Sequence, residues 1–176
     1  MQRTLFAGLV LVLFGTTAYG QTAATPHHAI STYATTSAMT QDDLKTTVQR
    51  FYDALSNAGT VTLDELNSFM ATDWHSTPTP MGGGGTEGLL QTLRIFHGLI
   101  PDLKWTVHEM LVDGNRVTVR SIATGTPNGD FFGVPTDGSK SFEIMTIDIH
   151  TVENGKMTTG FHVEDWAGAI QQLTAQ

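Results

Sequence analysis

The stretch from Ile144 to Trp166 reads IMTIDIHTVENGKMTTGFHVEDW and carries Asp148, His150, His162 and Asp165 on an apolar framework. Ionisable groups are costly to bury unless they are paired or shifted in pKa, so this grouping marks the floor of a small-molecule site. An imidazole with an ordinary pKa of roughly 6.5 beside a carboxylate suits proton transfer near neutral pH. On that reading His162 abstracts an acidic C–H proton or activates a water, and Asp148 or Asp165 fixes its tautomer. His150, or a bound water, then donates to the developing oxyanion. Two other readings use the same residues. One is a structural network that bridges strands. The other is a metal site, since Asp-x-His with a further His and Asp offers ligand types suited to zinc, iron or manganese. The spacing matches no strong metal motif, and no metal is assigned.

These residues require a hairpin to hold them. Asp148 and His150 are two apart in a strand pattern over Ser141 to Val152, so they face the same side. Met145, Ile147 and Ile149 occupy the alternate positions and Phe142 and Ile144 begin the first set, so both faces read as buried. The return strand is Met157 to Glu164, after the turn Glu153-Asn154-Gly155-Lys156. A plain two-residue turn puts His162 on the face opposite Asp148, whereas a three-residue loop with Gly155 left-handed and a bulge puts both on one face. The turn residues alone leave both forms open. Asp165, at the strand end, turns inward only through a bulge or the start of a helix.

The rest of the chain supplies walls. Thr40 with Asp43, and Thr62 with Glu65, read as capping boxes that open two helices. Leu44, Val48, Phe51, Tyr52 and Leu55 then recur on one face of the first helix, and Leu63, Leu66, Phe69 and Met70 belong to the second. A third helix runs from about Thr86 to Leu99 and is stopped by Pro101. Between them Asp73-Trp74-His75 ends a helix beside a loop with Pro78, Pro80 and Gly82 to Gly85, read as a flap. No Lys-Ser/Thr follows those glycines, so they are no phosphate cradle. Period-two patterns follow from Leu103, Trp105 and Val107 through the turn Asp113-Gly114-Asn115 to Val117 and Val119. Thr124 to Gly138 reads as a crossover, and Trp166 to Leu173 as a terminal helix. Three helices before about four antiparallel strands make an α+β fold, with helices on one face of a curved sheet and a conical pocket between. Trp74, His75, Tyr52, Phe96, His97 and Trp105 are the candidate pocket-lining residues; ordinary core packing is the alternative for each aromatic.

Composition narrows the partners. The chain has 176 residues, 40% apolar and 15% charged, in keeping with one globular domain. A net charge of -8 argues against nucleic acid and against docking on an anionic membrane. Arg3, the apolar run Leu5 to Phe14 and Ala18-Tyr19-Gly20 form a signal peptide over residues 1–20, too short to span a bilayer, which needs roughly 20 apolar residues. Residues 21–39 are a flexible leader in which His27 and His28 receive no role, and residues 40–176 are the domain. The expected address is secreted or periplasmic. With no cysteine there is neither a disulfide framework nor a thiol nucleophile.

From about Val48 to Leu173 the chain resembles the SnoaL-like polyketide (ester) cyclase family, which has the nuclear-transport-factor-2-like fold. The resemblance is carried by Pro101-Asp102-Leu103, Gly114-Asn115-Arg116-Val117, Gly125-Thr126 with Gly129, Phe132-Gly133-Val134-Pro135, Gly138, Asn154-Gly155-Lys156 and Gln171-Gln172-Leu173. It implies a conical pocket, a homodimer, no metal or organic cofactor, and an intramolecular aldol condensation with an acidic acid/base residue on the last strand. Because relatives converge their polar residues on one face, it also implies the three-residue loop that brings His162 to the side of Asp148. Two positions depart from the family's usual pattern. The crossover has Thr126-Pro127-Asn128-Gly129, and the last strand has Gly160-Phe161-His162, which puts an imidazole where the acid/base residue aligns. The expectation is therefore an exported, cofactor-independent lyase, isomerase or hydrolase acting on an apolar carbonyl compound or ester. The competing class is a binding module that holds a hydrophobic small molecule without turnover.

Overall fold

The computed structural model describes residues 39–175. The expected signal peptide, most of the expected leader, and His27 and His28 lie outside the described residues. Helix α1 (Gln41–Ser56) opens on the expected capping box, in which Thr40 and Asp43 bond each other's backbone N–H groups. It buries Leu44, Val48, Phe51 and Tyr52, each large apolar side chain contributing roughly 1.5–3 kcal/mol. Helix α2 (Leu63–Phe69) starts at Thr62, whose hydroxyl accepts from Glu65 N–H. Helix α3 (Gly85–Leu99) faces the core with Leu89, Thr92 and Leu93.

The strands are β1 (Met70–Thr77), β2 (Lys104–Asp113), β3 (Arg116–Gly125), β4 (Asn128–Phe131), β5 (Val134–Asp137), β6 (Phe142–Glu153) and β7 (Lys156–Glu164), with helix α4 (Trp166–Thr174) last. Five form one sheet in the order β1-β7-β6-β3-β2, antiparallel except for the β1–β7 pair. The α+β arrangement with a curved, mainly antiparallel sheet is the one expected, with two corrections. Asp73-Trp74-His75 belongs to an edge strand and not to a helix end: α2 passes into β1 at Met70 without a turn residue to announce it. The crossover holds a separate hairpin, β4–β5, whose Phe132 and Gly133 both take positive φ. Its strands of four residues each are too short to show periodicity.

The long strand β6 is buried on one face only. Phe142, Ile144, Thr146, Asp148, His150 and Val152 point into the core. On the other face Met145 is 52% exposed, in correction of the expectation that both faces are covered. Among the described residues no helix is long and apolar enough to cross a membrane.

A candidate acid–base site in an apolar cavity

The turn between β6 and β7 decides which side chains meet. Asn154 and Gly155 both have positive φ (51° and 78°), the mark of a two-residue type I′ turn closed by Glu153 opposite Lys156. That turn alone would send His162 to the outer face. The register slips between Thr151 and Val152, where Thr158 is the extra residue on β7, and beyond this bulge Asp148 stands directly opposite His162. A three-residue loop was expected; the compensating bulge lies one pair up the ladder instead, and the two side chains still share a face.

That face floors a cavity of about 270 Å³. Its floor is Asp148, His150, Gly160, His162 and Glu164. Phe51 and Leu55 of α1, Leu89, Leu93 and Phe96 of α3, Trp74 and Ser76 of β1, Trp105, Phe132 and Trp166 supply most of the remaining wall. The loop from Pro78 to Met81 completes it and is tied to α3 by a bond from Gly82 N–H to Thr92 Oγ1, 2.9 Å.

Behind the floor runs a buried hydrogen-bonded chain. Tyr52 donates its hydroxyl proton to Asp148 Oδ2 (2.9 Å), and the Tyr52 hydroxyl oxygen lies 3.0 Å from His150 Nε2. Thr146 Oγ1 also donates to Asp148 Oδ2 (3.3 Å) and sits 2.6 Å from Ser121 Oγ. Asp148 Oδ1 takes no hydrogen bond from the described residues. Burial pushes Asp148 up from 3.8 to about 6, against the lowering effect of the Tyr52 bond. Glu164 adds to the rise, while His162 and Thr146 oppose it. Burial, with the charge of His162, brings His150 down to about 3, so it is neutral. Burial first and the Asp148 carboxylate second hold the Tyr52 phenol above its ordinary value, so it remains a donor.

Because a carboxylate only accepts, the one Tyr52 proton goes to Asp148, and His150 must then offer an Nε2–H to the Tyr52 oxygen. His150 is therefore the Nε2–H tautomer with a bare Nδ1. It cannot donate from Nδ1 to an oxyanion, which corrects the role expected for it.

His162 belongs to a second group. Its Nδ1 donates to Glu164 Oε1 at 2.7 Å, and its Nε2 donates to the Pro78 carbonyl at 3.0 Å. Burial works against its charge, but the bond to Glu164, that carboxylate's charge, the Pro78 carbonyl and Asp148 outweigh it and raise its pKa above the usual histidine value. With both nitrogens facing oxygen acceptors, the ring is held as an imidazolium and has no lone pair for abstracting a proton. Its carboxylate partner is Glu164, not Asp148 or Asp165. Strand alternation places Glu164 beside His162 on the inner face, a signal that was available in the sequence.

The remaining candidates separate cleanly. Asp165 is exposed and caps α4, accepting from Gly168 N–H at 2.9 Å, so it lies off the cavity wall. His75 is exposed, since alternation on β1 turns Trp74 and Ser76 inward and His75 outward. His97 is exposed at the rim of the α3 apolar arc, beside Gly59. Trp74, Phe96 and Trp105 line the cavity, whereas Tyr52 acts from behind it. Phe132, which the sequence reading left out, lines the cavity from the β4–β5 turn at φ 51° and packs on Trp166 at 5.6 Å between centroids.

Asp148, His162 and Glu164 place one ligand-type atom each within 4.8 Å of one another. Of the described residues these would be the ones to hold a divalent ion, but both His162 nitrogens are spent on oxygen acceptors, and the trio fits a proton site better.

Comparison with known proteins agrees with this fold. Among curated proteins none matches the sequence. TsrD from Streptomyces laurentii superposes with a TM-score of 0.68 at 22% identity, over 78% of this chain and 99% of that one. A Bacillus cereus ATCC 10987 protein grouped with polyketide cyclases gives 0.63 at 27% identity, over 77% and 85%. A SnoaL-like polyketide cyclase from Agrobacterium tumefaciens gives 0.61 at 22% identity, over 74% and 97%. The family model for SnoaL-like polyketide cyclases matches residues 46–173, from within α1 to the last turn of α4, and the chain belongs to that family.

Proposed function

We propose that this protein is an exported, cofactor-independent acid–base catalyst that acts on an apolar carbonyl or ester compound, with Asp148 as the group that takes the proton. The observation that carries this reading is the position of Asp148. Its carboxylate is held on Oδ2 by Tyr52 and Thr146, leaves Oδ1 without a partner among the described residues, and lies on the floor of an apolar cavity. Burial brings its pKa to about 6, near the pH at which a base works best. In the reaction Oδ1 takes a proton from a carbon next to a carbonyl. The C–H electron pair moves into the new enolate, which either attacks a second carbonyl in the same molecule, the resulting alkoxide taking back the proton held on Asp148, or is reprotonated from Asp148 at another carbon. The His162 imidazolium, fixed by Glu164, stabilises the enolate charge across a cavity of low polarity.

The test is exchange of the acidic C–H of ethyl benzoylacetate in D₂O, followed by proton NMR. The protein should accelerate exchange, and Asp148→Asn should remove at least about a hundredfold of that acceleration, the usual scale of a positioned general base. A variant with undiminished exchange would end the proposal. The apolar wall also favours the second reading, a binding module, which predicts saturable binding of the ester with no exchange.

The homodimer is part of the same proposal. Ile147 stands opposite Val163, and Ile149 opposite Phe161, so the outer sheet face presents a continuous apolar strip with Val163 71% exposed. Strips of this kind mark association surfaces, and a second copy of the same face is the proposed cover. Light scattering after size exclusion should give twice the monomer mass, and Val163→Lys should halve it.

A further inference from the structure

Three buried polar atoms in the cavity wall have no hydrogen-bond partner among the described residues: Trp74 Nε1, Ser76 Oγ and His150 Nδ1. Their residues are no more than 3% exposed. A single unpaired buried group is destabilising, and most buried polar groups are paired, so three on residues that all neighbour Gly160 call for a partner. The sheet register brings them together. Ser76 on β1 and His150 on β6 are both direct neighbours of Gly160 on β7, one from each side. A Cβ placed on Gly160 would lie 3.2 Å from Trp74 Cζ2 and 3.4 Å from His150 Nδ1. The missing side chain of Gly160 thus leaves a notch floored by glycine, with an indole edge, a hydroxyl and an imidazole around it.

The donor and acceptor character of the notch follows from proton counting. Trp74 Nε1–H only donates. His150 Nδ1 is the bare nitrogen, because its Nε2–H is committed to Tyr52. The Ser76 hydroxyl does either. A carbonyl oxygen would satisfy Trp74 and leave His150 unpaired, and an ammonium, which only donates, would do the reverse. A hydroxyl satisfies both.

We infer that the Gly160 notch is a hydroxyl-recognition subsite, in which a phenol or alcohol on an apolar substrate accepts from Trp74 Nε1–H, donates to His150 Nδ1 and pairs with Ser76 Oγ. The inference rests on the reading of the cavity as the substrate site, and it adds which end of the substrate lies over Gly160. It also gives Trp74, Ser76 and His150 a role in specificity separate from the proton transfer at Asp148.

The probes are β-naphthol and β-methylnaphthalene, alike in shape and different in the hydroxyl, titrated into the full-length protein by calorimetry. The wild-type protein should prefer β-naphthol by at least about tenfold. Trp74→Phe and Ser76→Ala should each reduce that preference while still binding β-methylnaphthalene, and Gly160→Ala should abolish it by filling the notch. Equal binding of both probes by the wild-type protein would overturn the subsite and leave the cavity reading intact. Failure to bind either would overturn both. Nitrogen-15 NMR of His150 gives a check that needs no variant to fold. The free protein should show the Nε2–H tautomer, with the Nδ1 resonance moving on addition of β-naphthol, and a protonated Nδ1 in the free protein would refute the inference.

Discussion

Asp148→Asn should make the protein more stable near neutral pH and leave the advantage much smaller in acid. In the folded protein this carboxyl ionises at about 6, against 3.8 as the ordinary value. The folded state therefore holds its proton more tightly than the unfolded chain does. The resulting stabilisation is fully present below 3.8 and is lost as pH rises through about 6. Going from 3.8 to about 6, at about 1.36 kcal/mol per pKa unit, gives a loss of about 3 kcal/mol. Asparagine has no such titration and can still accept from Tyr52. The stability gap between variant and wild type should thus open by about 2–3 kcal/mol between pH 4 and pH 7. Comparing the gap, and not either protein alone, cancels the carboxylates that titrate in both. Urea unfolding with matched m-values supplies the measurement. A gap that changes by less than about 1 kcal/mol over this range would refute the account of Asp148 as a destabilised buried carboxylate.

Tyr52→Phe removes the donor to Asp148 Oδ2 and the acceptor of His150 Nε2–H. It should lower stability by about 1–3 kcal/mol and move the acidic limb of the exchange rate to higher pH, since the Tyr52 bond lowers the Asp148 pKa. Glu164→Gln takes away the main support of the His162 charge, so the His162 titration followed by NMR should fall in pH. A raised histidine pKa stabilises the fold below the unfolded value of 6.5 and ceases to as pH rises through the folded value. The loss in Glu164→Gln should accordingly be larger at pH 5.5 than at pH 9. Asp165→Ala deletes the cap of α4 and should cost about 0.5–2 kcal/mol in unfolding experiments while leaving C–H exchange at the wild-type rate.

Helix starts were legible because Thr40 and Thr62 announce them with side chains that bond locally, three residues ahead. The β6–β7 pair was legible for the related reason that alternation survives over twelve residues of β6. Legibility failed where information is not local. β1 is a strand because β7 lies beside it, and nothing within Met70–Thr77 marks the passage from α2. The partner of His162 is Glu164, which a period of two puts on the same face, and not the neighbouring Asp165, which starts the next helix. The protonation state of His162 was beyond the sequence altogether. It depends on the Pro78 carbonyl, 84 residues away along the chain. Likewise Tyr52 read as one more aromatic on a helical stripe, and only its approach to Asp148 and His150 on a strand 96 to 98 residues later shows that its hydroxyl matters more than its ring.

The bulge at Thr158 has a bearing on how this hairpin tolerates change in length. Each residue gained or lost between Asp148 and His162 reverses the side on which His162 emerges: the two-residue turn alone leaves it outward, and the one extra residue of the bulge turns it inward. A deletion of Thr158 alone would send the imidazole outward and bring Phe161 in. A compensating insertion at Asn154-Gly155 would bring the imidazole back, with no change in any side chain of the site. The hairpin is a counter with two digits: odd edits erase the site, and paired edits, even several residues apart, restore it.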